Sequence, residues 1–203
     1  MSCAGLKLPA GDTTVLKHSL LTVEQAVQCL HDGKIISYPT EAVFGLGCDP
    51  GNETAVRQLL SLKGRPATVG LILIADQLER FDPYIKPVSA ALHRRAGSSW
   101  PGPVSWLFPR ADSVPDWLAG NHDTIALRLT AHPVCRALCA AFEAAIVSTS
   151  ANPSSSEPAG SAEQVEEYFG SSLGGIVEGA LGKDRKPSEI RDLVSGAVLR
   201  SGK

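Results

Sequence analysis

Short apolar runs alternate with capped amphipathic stretches along almost the whole chain, and this alternation restricts the fold more than any other feature. Residues 34–38, 70–75, 104–108, 124–129, 145–149, 175–178 and 197–199 read as strands. Residues 42–48 read as a buried loop or short strand. Between them, Thr22-Val23-Glu24-Gln25 is a capping box, with Val23, Ala26, Val27 and Leu30 on one face and Gly33 as the stop. Asn52 caps a helix running to about Lys63 with Val56, Leu59 and Leu60 inward. Residues 87–95 read as a helix. His132-Pro133 starts another with proline at its first position, and Ser161-Ala162-Glu163-Gln164 is a second capping box for a helix ending at Phe169. Such interleaving predicts an α/β, or mixed α+β, architecture: a mainly mixed, twisted sheet with covering helices. Residues 1–21 show no clear period and read as a loose N-terminal extension, leaving 22–203 as one domain.

Composition excludes several classes. At 203 residues the chain buries roughly 70% of its unfolded surface and needs no covalent staples. Apolar residues make up 43% and charged ones 20%, which argues against disorder. The longest apolar run, Leu71-Ile72-Leu73-Ile74-Ala75, is far too short to span a bilayer. No basic segment followed by an apolar core lies between Met1 and Asp12, so no secretory leader is expected. The five cysteines form no C-x-x-C pair, and Cys135 and Cys139 suit inward packing on one helix face. A cytoplasmic protein without disulfides is expected.

The net charge of -2 argues against a general nucleic-acid binder but conceals a pattern. Residues 57–136 carry a net +4, residues 137–182 a net -6, and residues 183–203 a net +3. A fold could gather the two positive segments around an anion; on charge alone, the plainer reading is ordinary solvated faces.

The catalytic inventory is equally selective. No G-x-S-x-G elbow, Walker A loop or G-x-G-x-x-G is present, and none of the five histidines sits at metal-ligand helix spacing. Three constellations remain. Lys63-Gly64-Arg65-Pro66 places two cations on one turn, where both could reach a polyphosphate. Ser148-Thr149-Ser150-Ala151-Asn152 follows an apolar strand, at the kind of strand end where ligands bind. Tyr38-Pro39-Thr40-Glu41 is also at a strand end. Each could instead be a polar turn, which for Lys63-x-Arg65 alone is the plainer reading. None supplies a nucleophile with a paired base; cations and hydroxyls suit phosphoryl or nucleotidyl transfer.

These constellations belong to an ordered set. Tyr38-Pro39-Thr40-Glu41-Ala42-Val43-Phe44-Gly45-Leu46-Gly47-Cys48-Asp49, Lys63-x-Arg65-Pro66, Trp100-Pro101-Gly102-Pro103-Val104, Ala126-Leu127-Arg128-Leu129, Ser148-Thr149-Ser150-Ala151-Asn152, Pro187-Ser188-Glu189-Ile190-Arg191-Asp192 and Leu199-Arg200-Ser201-Gly202 together resemble the YrdC family in its short bacterial form. The resemblance implies a sheet enclosing a large concave groove. It also implies a nucleotidyltransferase making threonylcarbamoyl-AMP and pyrophosphate from ATP, L-threonine and bicarbonate, for tRNA modification beside the anticodon. It assigns Lys63, Arg65, Ser150 and Asn152 to catalysis on the nucleotide, with Thr124 and Arg200 also at ATP. Thr40, Arg128, Ser148 and Ser188 are assigned to threonine. Mg²⁺ would come with the ATP phosphates, without side-chain ligands. TsaB/TsaD/TsaE-type proteins would be partners, with weak tRNA contact and no membrane. Two departures stand out: Val69 replaces a usual polar residue, and 153–158 is altered and reads as a flap. The competing expectations are an RNA-binding module acting on tRNA or double-stranded RNA, and a carbamoyl-transfer module.

Overall fold

A computed structural model describes residues 20–183 and 188–202. Most of the expected 1–21 extension, as well as Pro187, therefore lies outside the described residues. The chain runs α1 (Val23–His31), β1 (Ile36–Pro39), β2 (Phe44–Gly47), α2 (Glu53–Lys63), β3 (Ile72–Ala75), α3 (Ala90–Gly97), β4 (Val104–Pro109), α4 (Asp116–Ala119), β5 (Thr124–Leu129), α5 (Pro133–Phe142), β6 (Ile146–Ser150), α6 (Ala162–Phe169), β7 (Gly175–Ile176), β8 (Glu189–Asp192) and β9 (Val198–Arg200). No described helix is long and apolar enough to cross a membrane.

Local chemistry explains the helix ends. Thr22 accepts from the Gln25 amide while Gln25 reaches back to the Thr22 amide, completing the first capping box. The second box is only half formed: Ser161 accepts from the Gln164 amide, but the Gln164 side chain turns to the amide of Gly160. Asn52 caps α2, and Gly64 ends it with φ of 59°. Pro133 opens α5 as expected.

The strands form one mixed sheet in the order β7-β1-β2-β6-β3-β5-β4-β8-β9. Pairings β1–β7, β3–β5 and β4–β8 are parallel and the others antiparallel. Side chains alternate between two buried clusters. On one face Ile36, Tyr38, Ile74 and Ile146 pack with Leu30 of α1 and with Cys135, Leu138 and Cys139 of α5. On the other, Leu46, Leu73, Leu127, Val147 and Trp106 pack with Leu59 of α2 and Leu118 of α4.

The first face carries the site. Ile72 is in register with Ser148 and Ala126, and Ala126 with Leu107. Helices α1 and α5 cover the Ile74–Ile146 end of that face; its Ile72 end is left as the floor of a cavity.

Candidate active site

The cavity encloses about 740 Å³, within the range for a small-molecule site. Its floor comes from Thr124, Ala126 and Arg128 of β5, Ile72 of β3, and Ser148 and Ser150 of β6. The β1–β2 turn contributes Thr40 and Glu41, the segment after α2 contributes Arg65, and the β8–β9 hairpin contributes Ser188 and Arg200. Eight of the ten residues singled out from sequence thus line one space, while Lys63 and Asn152 do not.

Those two residues lie beneath the wall. Lys63 is only 4% exposed, and its Nζ donates to the Ser150 carbonyl at 2.6 Å, the Asn152 carbonyl at 2.8 Å and Asn152 Oδ1 at 3.3 Å. Ser150 Oγ also donates to Asn152 Oδ1, at 2.6 Å. Sequence assigned Lys63 to the phosphates; the structure commits its ammonium to the turn that presents Ser150. Burial, and secondarily Arg65, lowers the Lys63 pKa to about 8.

The arrangement is cationic. Arg65 and Arg128 come from the first positive segment and Arg200 from the second, so the fold joins the two segments around one cavity. Burial and then the nearby Arg200 lower the Arg65 pKa, while burial and then Arg128 lower that of Arg200. Each cation therefore destabilises the next, and an anion between them would relieve both costs. Arg65 Nη2 donates to the Gly70 carbonyl at 2.8 Å and its buried Nε has no partner. Arg200 Nη2 donates to Ser188, at 3.0 Å to the carbonyl and 3.2 Å to Oγ.

Sequence reasoning missed Glu41 as an individual residue. Its Oε1 accepts from the Thr130 hydroxyl at 2.7 Å and the Ala131 amide at 3.3 Å, and its Oε2 lies 3.7 Å from Arg128. Burial raises its pKa, but Arg128, Thr130, a backbone amide and His132 together bring it below the ordinary value. The available signal was a carboxylate directly before the apolar stretch 42–48, which has to be paired if it is buried.

The two departures differ in consequence. Val69 is 44% exposed and gives the cavity rim an apolar side chain. The segment 153–158, expected as a flap, is tied down: the Ser154 amide and hydroxyl both donate to the Lys63 carbonyl, and Asn152 Nδ2 donates to the Pro153 and Ser156 carbonyls.

Comparison with known proteins gives a consistent picture. A family model named for Sua5, yciO and yrdC and described as "Telomere recombination" matches residues 28–202. Threonylcarbamoyl-AMP synthase of Halorhodospira halophila is 49% identical over 178 residues, covering 88% of this chain and 93% of the relative. The protein of the same name from Pseudomonas putida F1 is 48% identical, covering 91% of this chain and 99% of the relative. P. abyssi Sua5 complexed with L-threonine superposes with a TM-score of 0.83 at 31% identity, over 89% of this chain. The chain spans 54% of that longer protein.

Proposed function

The chain belongs to the Sua5/YciO/YrdC family, and from that premise we infer that it is a threonylcarbamoyl-AMP synthase. It joins ATP, L-threonine and bicarbonate into threonylcarbamoyl-AMP, releasing pyrophosphate. The observation that carries this reading is the convergence of Arg65, Arg128 and Arg200 with Thr40, Ser148 and Ser150 on one cavity. Three cations match a substrate pair bearing a triphosphate and a carboxylate.

In this reading Arg65, Arg200 and Ser150 hold the phosphates, with Thr124 beside the nucleotide. Lys63 and Asn152 act one layer down, fixing the turn from which Ser150 faces the phosphates. Arg128 takes the threonine carboxylate, Thr40 and Ser148 flank the amino acid, and Ser188 closes the pocket. Bicarbonate takes up a proton and loses water to give carbon dioxide; the threonine amine bonds to its carbon and gives up a proton, leaving a carbamate. A carbamate oxygen then attacks the α-phosphorus in line, and the bond from that phosphorus to the bridging oxygen breaks, so that pyrophosphate departs with the electron pair. Positioning and charge stabilisation supply the catalysis, as is general for transfer at phosphorus. Mg²⁺ is assigned to the MgATP substrate, where it would be held through the ATP phosphates.

The adenylate would pass to TsaB/TsaD/TsaE-type proteins that modify tRNA, placing the enzyme in the cytoplasm. None of the comparisons favours the RNA-binding alternative. The test is pyrophosphate release by the purified protein with MgATP, omitting threonine or bicarbonate in turn. Release should need both. Release indifferent to threonine, or none from a folded protein that binds ATP, would overturn the assignment.

A further inference from the structure

One carboxylate in the cavity wall is held at ion-pair distance from an arginine without closing a hydrogen bond to it. Glu41 and Arg128 have side chains only 11% and 9% exposed, yet their nearest charged atoms stand 3.7 Å apart, beyond hydrogen-bond reach. Glu41 Oε2 and Arg128 Nε are both buried without a hydrogen-bond partner. A carboxylate and a guanidinium this close gain by closing into a two-pronged pair, and buried polar atoms left unpaired are costly. Something must hold them apart.

The restraint is visible at the other oxygen. Oε1 accepts from Thr130 Oγ1 at 2.7 Å and the Ala131 amide at 3.3 Å. Thr130 has no freedom to follow Glu41 towards Arg128. It is fully buried, its amide donates to the Ala75 carbonyl at 3.1 Å, and its Oγ1 accepts from the His132 amide at 3.2 Å. The hydroxyl proton is therefore directed at Glu41. Arg128 is left with a compensating charge nearby and with its fork unconsumed, in the wall of a cavity.

We propose that Thr130 and Glu41 are positioning residues: Thr130 restrains Glu41 so that the Arg128 fork stays open to the carboxylate of the amino-acid substrate. This rests on the threonine reading above. Without the Thr130 hydroxyl, Glu41 swings onto Arg128 and competes with the substrate carboxylate.

The test compares binding of L-threonine with that of L-threoninamide, which lacks the carboxylate, by calorimetry in the presence of a non-hydrolysable ATP analogue. Thr130→Val should cut the wild-type preference for threonine roughly tenfold, the scale of one charge-assisted hydrogen bond, leaving threoninamide affinity unchanged. Thr130→Ala carries the same expectation should valine not be accommodated. Thr130→Ser, which keeps the hydroxyl, should hold the wild-type ratio. Adding Glu41→Gln to Thr130→Val should restore most of the preference, because a neutral amide competes poorly for Arg128. A merely structural role would weaken both ligands together and would not be repaired by the second substitution; either result, or an unchanged ratio in Thr130→Val, overturns the inference. Equal wild-type binding of acid and amide would overturn the carboxylate assignment of Arg128 itself, and the inference with it.

Discussion

Lys63 shows how a residue can be legible in type while its partners within the protein are not. The spacing Lys63-x-Arg65 marks two cations after a helix, and both side chains were expected on the phosphates. The structure turns Arg65 to the cavity and Lys63 inward to three oxygens, because one residue at the helix end and one past its left-handed cap point in different directions. The Lys63 pKa, lowered to about 8 chiefly by burial, makes this testable. Well below pH 8 the ammonium is intact; as pH rises through about 8 the charge is progressively lost and the turn loosens. We expect kcat/KM for ATP, which reports the free enzyme, to fall as pH rises through about 8. Lys63→Arg should abolish that limb, since arginine does not titrate there. Lys63→Ala should slow pyrophosphate release by about two orders of magnitude, the scale of an ångström misplacement of a positioned contact such as Ser150. A wild-type profile flat to pH 9.5, roughly three half-decades past that value, would contradict the pKa assignment. Glu41 was hidden for the opposite reason: a turn ending a strand looks solvated in sequence, and only the fold reveals the buried Thr130 hydroxyl opposite.

Among the elements, legibility followed the strength of the local signal. The capped helices α1 and α2 and strand β5 stand where pattern placed them, because caps and uninterrupted apolar runs are local properties. Strand β8 was missed because Glu189-Ile190-Arg191-Asp192 has one apolar residue and no alternation; backbone pairing to β4 and β9 makes it a strand. Helix α4 has four residues, and the 3₁₀ turn Leu78–Tyr84 contains Pro83, so neither carries a readable period. Helix α3 begins at Ala90, behind a Ser89 cap, three residues later than position 87 suggested. Two glycines test the element reading. Gly64 has φ of 59° with open space around its would-be Cβ, so Gly64→Ala should cost about 1 kcal/mol through conformation alone. At Gly47 a Cβ would stand 2.5 Å from the Val147 carbonyl oxygen and 2.7 Å from the Tyr38 ring. Gly47→Ala should therefore lose more, about 1–3 kcal/mol from overpacking, in urea unfolding. The reverse order would mean that β2 and β6 part more easily than their packing implies.

For the molecule as a whole, the fold class was readable and the site's composition only partly so. A mixed sheet with helices on both faces follows from interleaved periods, but the order β7-β1-β2-β6-β3-β5-β4-β8-β9 is set by long-range pairing that no local window contains. The repulsive set Arg65, Arg128 and Arg200 is likewise a product of topology. MgATP or pyrophosphate should thus raise the melting temperature in proportion to the logarithm of its concentration, and the gain should shrink with added salt. A salt-insensitive shift would mean that the arginines do not carry the binding. The β8–β9 hairpin gives this a kinetic side. It supplies Ser188 and Arg200 to the cavity, yet its strand residues are only half-buried or exposed, whereas β1 to β3 and β5 are largely interior. Segments of that kind open first and close last. A folding chain would therefore pass through a state with most of its core formed and the site incomplete, and nucleotide would act as a latch on the final docking step. In amide hydrogen exchange, nucleotide should then slow the hairpin far more than the sheet centre, whose exchange already waits on global unfolding.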